Sequence, residues 1–463
     1  MNEKNTEPIK IKNTDKNSIP WIAYVLLLGI LMLGAYFRFV GLDWDNDQHL
    51  HPDERFLTMV ETAIQPVHSL SEYFDTEHST LNPHNVGYTF YVYGTLPIFI
   101  VRYLAAAIGK IGYSQVYLVG RAVSGIFDLL TVILVFFVSY KIYHKYRLSL
   151  VAAAFMAFAV LPIQLSHYFT VDVIANFFSF LTIACAVLIM TANQDEKSVA
   201  EISKKEDEPD FYEVPVPIST FWKGDKTLVF YVLFGFAFGM ALASKVSTAP
   251  LVLTLFTACA IYYSRVPHAQ RRLESTIILR NLVVAGLFTI LIFRIFQPYA
   301  FSGPGFFGVL PNEKWIANMK ELSAQSGGDV DFPPALQWAR RPITFAWTNM
   351  VKWGLGLPLG LLAWAGFLYM GWRIIRKDWR HHLLLWGWTG VYFIWQSLNF
   401  TRSMRYQIPV YPTLVIIAAW LIFELWQTRD NWKPVVKKTQ TTAMVSSTNN
   451  LLQCIKTPPL IAG

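Results

Sequence analysis

Ten long apolar stretches constrain this chain more than any other feature of its sequence. A helix needs about twenty mostly apolar residues to cross the hydrocarbon core of a bilayer, which is roughly 30 Å thick. The stretches lie near residues 21–40, 122–140, 148–166, 173–191, 227–244, 246–264, 278–297, 353–372, 383–400 and 406–423. The sequence therefore predicts an all-α polytopic membrane protein with about ten transmembrane helices.

The composition argues against a soluble protein. Of the 463 residues, 54% are hydrophobic and only 15% are charged, an apolar excess larger than a soluble core needs. The net charge of +8 is explained by loop charges that set orientation in a membrane, and we expect no nucleic-acid partner. The three cysteines are too scattered for a disulfide framework.

Residues 93–111 allow two interpretations. The stretch is apolar but contains Arg102 and Lys110, so it could cross the membrane or lie on its surface as an interfacial helix. Counting it as a span would distribute the basic connectors over both faces, whereas cytoplasmic loops normally carry the excess of Lys and Arg. We therefore expect an interfacial helix and cytoplasmic termini. The basic connectors then share the cytoplasmic side; they are residues 141–147, 265–272 and 373–380.

This topology predicts the domain organisation. We expect a disordered cytoplasmic N-terminus at 1–20, a transmembrane domain at 21–427 and a cytoplasmic tail at 428–463. A cytoplasmic insert of mixed charge occupies 192–226, and two long external loops occupy 41–118 and 298–346. Chemistry is expected on the external face of a cell membrane, because the unusual polar residues concentrate there.

The most unusual polar sequence follows the first predicted helix and includes His51-Pro52-Asp53-Glu54. Proline is favoured at the first position of a helix, and the helix N-terminus stabilises a carboxylate in the first turn. Such a carboxylate can take a proton from a hydroxyl that attacks an electrophilic carbon. We predict Asp53 as the general base, with Glu54 as a catalytic partner that orients Asp53 or a cation, and His51 as a further site residue.

The same loop offers candidate metal ligands. Asp43 and Asp45 fit the spacing of a divalent-cation site for Mg²⁺ or Mn²⁺, and His49 could join them. The alternative is a hydrated loop whose carboxylates face lipid headgroups. The sequence thus makes no cofactor certain and leaves metal dependence open.

Two further acids lie in apolar stretches, where an ionisable residue is costly unless it faces a cavity or a partner. Asp172 follows His167 at the outer surface, and it is either a site residue or the N-cap of its helix. Asp128 is expected to pair with another span.

Three cations are predicted on the external side, although Lys and Arg are usually in excess on the cytoplasmic side. Their position therefore needs an explanation. Lys245 lies between two spans, and Arg402 and Arg405 precede the last one, with Tyr406 beside them. Arginine presents a planar fork of donors that suits phosphate, and lysine presents a point charge. We predict a site for an anionic ligand; the alternative is that these side chains extend towards lipid headgroups.

The pattern resembles the GT-C superfamily of membrane glycosyltransferases, in the branch of protein O-mannosyltransferases and aminoarabinose transferases. The resemblance rests on the order and shared sidedness of several motifs. These are His51-Pro52-Asp53-Glu54, Tyr93-Gly94-Thr95-Leu96-Pro97, Gly120-Arg121-Ala122-Val123-Ser124 and Arg405-Tyr406-Gln407-Ile408-Pro409-Val410-Tyr411-Pro412.

The resemblance implies inverting transfer of a monosaccharide from a polyprenyl-phosphate donor to an acceptor hydroxyl on a glycan, lipid or protein. Asp53 matches the base of the family, and Lys245, Arg402 and Arg405 lie where contacts to the lipid phosphate are expected. The second external loop carries no acceptor motif that we can identify.

Two other functions use similar features. A lipid-linked glycan polymerase or ligase would share the donor class and the sidedness. A secondary transporter would also have about ten helices with intramembrane charges, but it commonly shows paired repeats, and we find none.

Overall fold

The computed structural model describes residues 19–192, 225–331 and 333–429. In these ranges the chain is almost entirely helical. The α-helices are α1 (Trp21–Phe39), α2 (Pro52–Ala63), α3 (Leu70–Tyr73), α4 (Thr95–Ala107), α5 (Tyr113–Tyr143), α6 (Tyr146–Phe158), α7 (Val160–Ser166), α8 (Val171–Thr191), α9 (Leu228–Ser244), α10 (Val252–Tyr263), α11 (Arg271–Phe296), α12 (Glu313–Gly327), α13 (Pro333–Leu336), α14 (Phe345–Asn349), α15 (Leu357–Arg373), α16 (Trp379–Leu398) and α17 (Tyr411–Thr428).

Short 3₁₀ and π turns extend several of these helices. They lie at Pro83–Val86, Val246–Leu251, His268–Gln270, Pro298–Ala300, Met350–Gly354, Ile374–Asp378 and Met404–Val410. The described residues contain no named strand, only an isolated bridge between Phe301 and Pro311. The predicted all-α class is confirmed.

Seven helical segments are long and apolar enough to cross a membrane. They are Trp21–Phe39, Tyr113–Tyr143, Val171–Thr191, Val246–Tyr263, His268–Phe296, Leu357–Arg376 and Met404–Thr428. The bent pair α6 and α7 makes an eighth. The two other predicted crossings are also helical: α9 has 17 residues, and α16 begins with a basic turn. The protein is therefore a multi-pass membrane protein, and the count of ten crossings stays a prediction.

The break between α6 and α7 has a local cause. The two helices meet at an angle of 53° around Ala159. Pro162 lies in the first turn of α7, and its ring would clash with the carbonyl of Phe158 if the helix continued. The chain therefore turns here and ends α7 beside the start of α8.

Helix α8 lies at the centre of the bundle. Nearly all its side chains are buried, and α5, α9 and α10 pack around it, whereas most of α1 faces outwards. A fully buried ion pair joins α1 to α5: Arg38 Nη2 lies 2.6 Å from Asp128 Oδ2. The predicted partner of Asp128 in another span is thus Arg38.

The first long loop contacts the end of α11 and the second long loop. Tyr73 donates a hydrogen bond to the carbonyl of Ile295 at 2.8 Å, and Thr76 donates to the carbonyl of Phe301 at 2.8 Å. Helix α4 has 13 residues and is therefore about 20 Å long, shorter than a membrane core. Its length suits the interfacial position that we predict for residues 93–111.

The chain divides into two compact units, residues 1–421 and 422–463. Of the second unit, residues 422–429 are described, and they are helical as far as Thr428. The predicted disordered N-terminus and nearly all of the predicted cytoplasmic insert and tail lie outside the described residues.

Candidate active site

Helix α2 begins at the proline of the His51-Pro52-Asp53-Glu54 motif, as the sequence predicts. His51 is its N-cap, because ring Nδ1 accepts a hydrogen bond from the backbone N–H of Glu54 at 3.3 Å. Burial lowers the pKa of His51, which favours the neutral ring that can accept this bond. Asp53 and Glu54 therefore lie in the first turn of a capped helix, where the helix dipole stabilises their negative charge.

Glu54 belongs to a closed ionic cluster, the Arg121 cluster, formed by Asp45, Glu54 and Arg121. Both oxygens of Glu54 accept from Arg121, Oε1 from Nε and Oε2 from Nη2, each at 2.7 Å. This two-pronged geometry is the strongest way for a guanidinium to bind a carboxylate. Asp45 Oδ2 accepts from Nη2 at 3.0 Å, and all three side chains are fully buried. The cluster ties the acidic loop and α2 to α5.

The turn before α8 is attached to the same cluster. The backbone N–H of Phe169 donates to Glu54 Oε1 at 2.8 Å. The ring of Phe169 packs against Gly120, where a Cβ atom would lie 2.2 Å from ring Cγ, so the close approach requires glycine. Glu54 thereby holds the start of α8, and with it Asp172, at a defined distance from α2.

Asp53 belongs to a second cluster, the Arg405 cluster, formed by Asp53, Asp172, Lys245 and Arg405. Arg405 Nη1 donates a hydrogen bond to Asp53 Oδ2. The same nitrogen lies 3.8 Å from Asp172 Oδ2, and Lys245 Nζ donates to Asp172 Oδ1 at 2.6 Å. Two carboxylates and two cations thus alternate in a chain whose formal charges cancel.

Four separate segments supply the Arg405 cluster. Asp53 comes from α2, Asp172 from the first turn of α8, Lys245 from the residue after α9, and Arg405 from the 3₁₀ turn before α17. Thr170 is the N-cap of α8, so the alternative that Asp172 is the N-cap is wrong.

Two contacts position Lys245 in this arrangement. The aromatic ring of Tyr406 lies 4.6 Å from Lys245 Nζ, within the range of a cation–π interaction. Gly94, in the first external loop, packs on the backbone just before Lys245, and a Cβ there would lie 2.1 Å from the carbonyl oxygen of Ala243. The structure therefore brings Tyr406 to the site as well as the four charged residues.

Two predicted site residues, Arg402 and His167, contact backbone carbonyls and belong to neither ionic cluster. Arg402 donates to the carbonyl of Ser397 at 3.2 Å and to that of Arg341 at 2.5 Å. The ring nitrogens of His167 lie 2.9 Å from the carbonyl of Ile163 and 3.0 Å from that of Val40. Both residues support the loops around the site, and a phosphate role for Arg402 stays a prediction.

The three candidate metal ligands of the acidic loop have separate partners. Asp43 accepts from the hydroxyl of Tyr117 at 2.7 Å, Asp45 accepts from Arg121, and His49 Nε2 lies 3.0 Å from Asp47 Oδ1. Among the described residues, no group of three or more His, Cys, Asp or Glu side chains could hold a metal ion. These acids fold the loop around Arg121 and Tyr117, so Asp43, Asp45 and His49 do not fit a shared ion.

A cavity of about 690 Å³ adjoins the cationic end of the Arg405 cluster. Lys245 and Tyr406 contribute to its wall, and most of the remaining wall is apolar. The other lining residues come from the turn after Lys245, from α12 and from the end of α16; they are Val246, Ser247, Ala249, Pro250, Trp315, Met319, Leu322, Ser323, Ser326, Gly327, Trp395, Gln396, Asn399 and Thr401.

Sequence reasoning missed two parts of this site. It assigned no role to Arg121, although an arginine at the outer end of an apolar helix, opposite an acidic loop, was a usable signal. It also left α12 without a role. No motif marks α12, because its contribution depends on how the second external loop packs on α16.

Residues 70–203 match the family model described as dolichyl-phosphate-mannose-protein mannosyltransferase. The matched range contains α3 to α8 and therefore includes Arg121 and Asp172 of the two clusters. The comparison with curated proteins gives no match.

Several solved structures are similar to this chain. The Archaeoglobus fulgidus oligosaccharyltransferase in complex with Zn and sulfate is 14% identical, with a TM-score of 0.54 over 88% of this chain and 50% of that one. The same enzyme tethered to an acceptor peptide is 14% identical, with a TM-score of 0.53 over 94% and 53%. ArnT from Cupriavidus metallidurans bound to undecaprenyl phosphate is 16% identical, with a TM-score of 0.47 over 88% and 62%.

The chain thus spans about half the length of the oligosaccharyltransferase that it matches. The resemblance that the motifs indicate is confirmed: this chain has the fold of the GT-C membrane glycosyltransferases.

Proposed function

We propose that this protein is an inverting glycosyltransferase, which moves a monosaccharide from a polyprenyl-phosphate donor to an acceptor hydroxyl on the non-cytoplasmic face of a cell membrane. The observation that carries the proposal is the Arg405 cluster. It joins a partly exposed carboxylate, Asp53, through Arg405 and Asp172 to Lys245, which lines a largely apolar cavity. The match to a family named for a lipid-phosphate mannose donor supports the donor class.

The cationic end of the cluster suits the donor phosphate. Lys245 and Arg405 have exposed fractions of 27% and 26%, so an anion can reach both side chains. The adjoining cavity has the size of a small-ligand site, and its apolar wall suits the first isoprene units of the lipid. A phosphate at Lys245 and Arg405 would compete with Asp172 for the same two cations.

The reaction is a single displacement at the anomeric carbon of the donor sugar. The acceptor hydroxyl oxygen forms the new bond to this carbon, and its proton passes to a carboxylate oxygen of Asp53. The bond from the anomeric carbon to the phosphate oxygen breaks, and its electron pair stays on the phosphate. The charge of the leaving polyprenyl phosphate grows from −1 to −2, and Arg405 and Lys245 stabilise it.

Donor binding also prepares the base. In the free protein, Asp53 is paired with Arg405, so an acceptor hydroxyl has to compete with the guanidinium for this carboxylate. A phosphate that draws Arg405 towards the cavity loosens this pair and leaves Asp53 to act on the acceptor. This coupling would favour transfer only after the donor has bound.

No step of this reaction needs a metal ion at the acidic loop. Asp43 and Asp45 already pair with Tyr117 and Arg121, and in the Arg405 cluster each carboxylate has a cationic partner. Comparing transfer with and without a chelator tests for a divalent cation elsewhere in the site.

The test uses membranes that contain the protein, incubated with labelled polyprenyl-phosphate sugars and, separately, with labelled nucleotide sugars, each with and without a chelator. We expect label transfer from one or more lipid-phosphate donors. Asp53→Asn should lower this transfer by about 10²- to 10⁴-fold, the usual contribution of a general base. Asp331→Asn, which changes an exposed acid of the second external loop, is the matched control.

Label that comes only from nucleotide sugars would overturn the donor assignment. Substantial transfer by Asp53→Asn at normal expression would overturn the base assignment. Loss of transfer with chelator, restored by a divalent cation, would show that an ion takes part.

A further inference from the structure

Two half-buried tyrosine rings pack against the half-buried ring of Phe56 on α2, and the three form what we name the aromatic patch (Phe56, Tyr88 and Tyr93). Phe56 follows Asp53 by three positions on α2, so both side chains leave the helix on neighbouring sides. Its ring centroid lies 5.6 Å from that of Tyr88 and 5.8 Å from that of Tyr93. The buried ring of Tyr91 stacks behind Phe56 at 6.3 Å and supports the patch.

Tyr93 is held close to the reacting groups. Burial raises the pKa of its phenol, and the negative charge of nearby Asp53 raises it further. The next residue, Gly94, is packed on the backbone before Lys245, which fixes the position of Tyr93 along the chain. A molecule resting on the patch would therefore be within reach of the carboxylate of Asp53.

The patch and the cavity are different surfaces beside the Arg405 cluster. The cavity is walled by Lys245 and Tyr406, and none of the three patch residues lines it. Because the proposed donor phosphate binds Lys245 and Arg405, we assign the donor to the cavity that Lys245 lines. The aromatic patch is then available for the acceptor, whose hydroxyl must reach Asp53.

The chemistry of the patch favours a saccharide. The negative faces of aromatic rings attract the polarised C–H bonds of a pyranose ring, and the Tyr hydroxyls can bond with its hydroxyl rim. Aromatic-lined grooves also hold extended proline-rich peptides, and a peptide acceptor is the alternative that product analysis distinguishes.

We propose that the aromatic patch is the acceptor subsite and that the acceptor is a saccharide, either a free glycan or the headgroup of a glycolipid. The inference rests on the proposed function, since it assigns the second substrate of that reaction. A sugar hydroxyl gives its proton to Asp53 and its oxygen to the donor anomeric carbon, so the product contains a new bond between two sugars.

The test is product analysis in membranes of the organism that carries the gene, incubated with the labelled polyprenyl-phosphate sugar that the donor panel identifies. Labelled product is divided by organic extraction, water extraction and protease digestion. We expect label in a protease-resistant saccharide, and organic extraction separates a glycolipid from a free glycan. Label released only by protease, on Ser or Thr, would overturn the saccharide acceptor while leaving the donor proposal intact. Absence of any labelled product would overturn both.

A variant series tests the location of the subsite. Tyr88→Ala should raise the acceptor concentration needed for half-maximal transfer by about tenfold, with a smaller effect on the maximal rate, because a lost ring contact weakens binding. Tyr88→Phe keeps the ring and should recover most of this loss. Phe307→Ala removes an external aromatic ring that is 88% exposed and distant in sequence, and serves as the control. Equal acceptor dependence in Tyr88→Ala and Phe307→Ala would overturn the subsite.

Discussion

The Arg121 cluster and the Arg405 cluster both contain an arginine between two carboxylates, to which the Arg405 cluster adds Lys245, but they differ in how far they are closed to solvent. In the Arg121 cluster Nε, Nη1 and Nη2 of the arginine all donate to protein oxygens, and its acids are fully buried. In the Arg405 cluster the arginine reaches both carboxylates through Nη1, and about a quarter of its side chain is exposed. The closed cluster can only hold structure, whereas the open one can exchange a carboxylate for a ligand.

Adjacent residues of one helix turn take part in these two clusters. Asp53 and Glu54 are neighbours in sequence, but successive residues on a helix point about 100° apart. One carboxylate therefore lies at the site and the other in the interior. The predictions that follow test whether this division holds.

The largest expected effect concerns stability and the closed cluster. Glu54→Gln removes the charge that neutralises Arg121 in a fully buried place, and breaking a buried ion pair costs about 3–5 kcal/mol. We expect a much lower yield of folded protein and a lower melting temperature in detergent. Asp53→Asn is the matched control, since its site is partly exposed. Equal melting temperatures for both variants would contradict the assignment of Glu54 to a structural ion pair.

The next effect concerns catalysis and the open cluster. Arg405→Ala removes a cation from the leaving phosphate and should lower transfer by about 10²-fold, mainly through weaker use of the donor. Arg402→Ala, whose side chain binds two carbonyls, should cost much less. Kinetics with varied donor concentration measure both. An equal loss of transfer in the two variants would support the phosphate-binding role that the sequence predicts for Arg402.

The smallest effect concerns pH and the N-cap of α2. The pKa of His51 is lowered in the folded protein, mainly by burial, so the unfolded chain binds a proton first as pH falls. The stability that the neutral ring contributes is therefore present above pH about 6.5 and is lost as pH falls through the folded pKa. Melting temperatures between pH 7.5 and 5 should fall for the wild type and less for His51→Asn, which keeps a cap worth about 1 kcal/mol. An equal fall in melting temperature for the wild type and His51→Asn would contradict this role of the His51 ring.

The sequence alone could predict much of the open cluster. Long apolar stretches and the charge of their connectors predict Asp53, Asp172, Lys245 and Arg405 on one face, because each lies at a helix end that is predicted to be external. The start of α2 at Pro52 was also predictable from local chemistry. These features depend on composition and spacing, which a single sequence contains.

Other features depend on packing between distant segments. Glu54 pairs with Arg121, which lies 67 positions away, and no local pattern distinguishes it from its neighbour Asp53. Asp43, Asp45 and His49 have the spacing of metal ligands, but Tyr117, Arg121 and Asp47 contact them instead. The cavity forms where α12 meets α16 and the turn after Lys245, so it could not be predicted from any one of them.

Transfer activity per folded molecule, in Asp53→Asn and Glu54→Gln side by side, tests the central claim most directly. Folded protein is counted by monodisperse elution in detergent, and transfer is measured with the labelled lipid-phosphate donor. We predict that Asp53→Asn folds in normal amount but is nearly inactive, whereas the few folded molecules of Glu54→Gln retain most of their activity. Equal inactivity per folded molecule would contradict the division between an open functional cluster and a closed structural one.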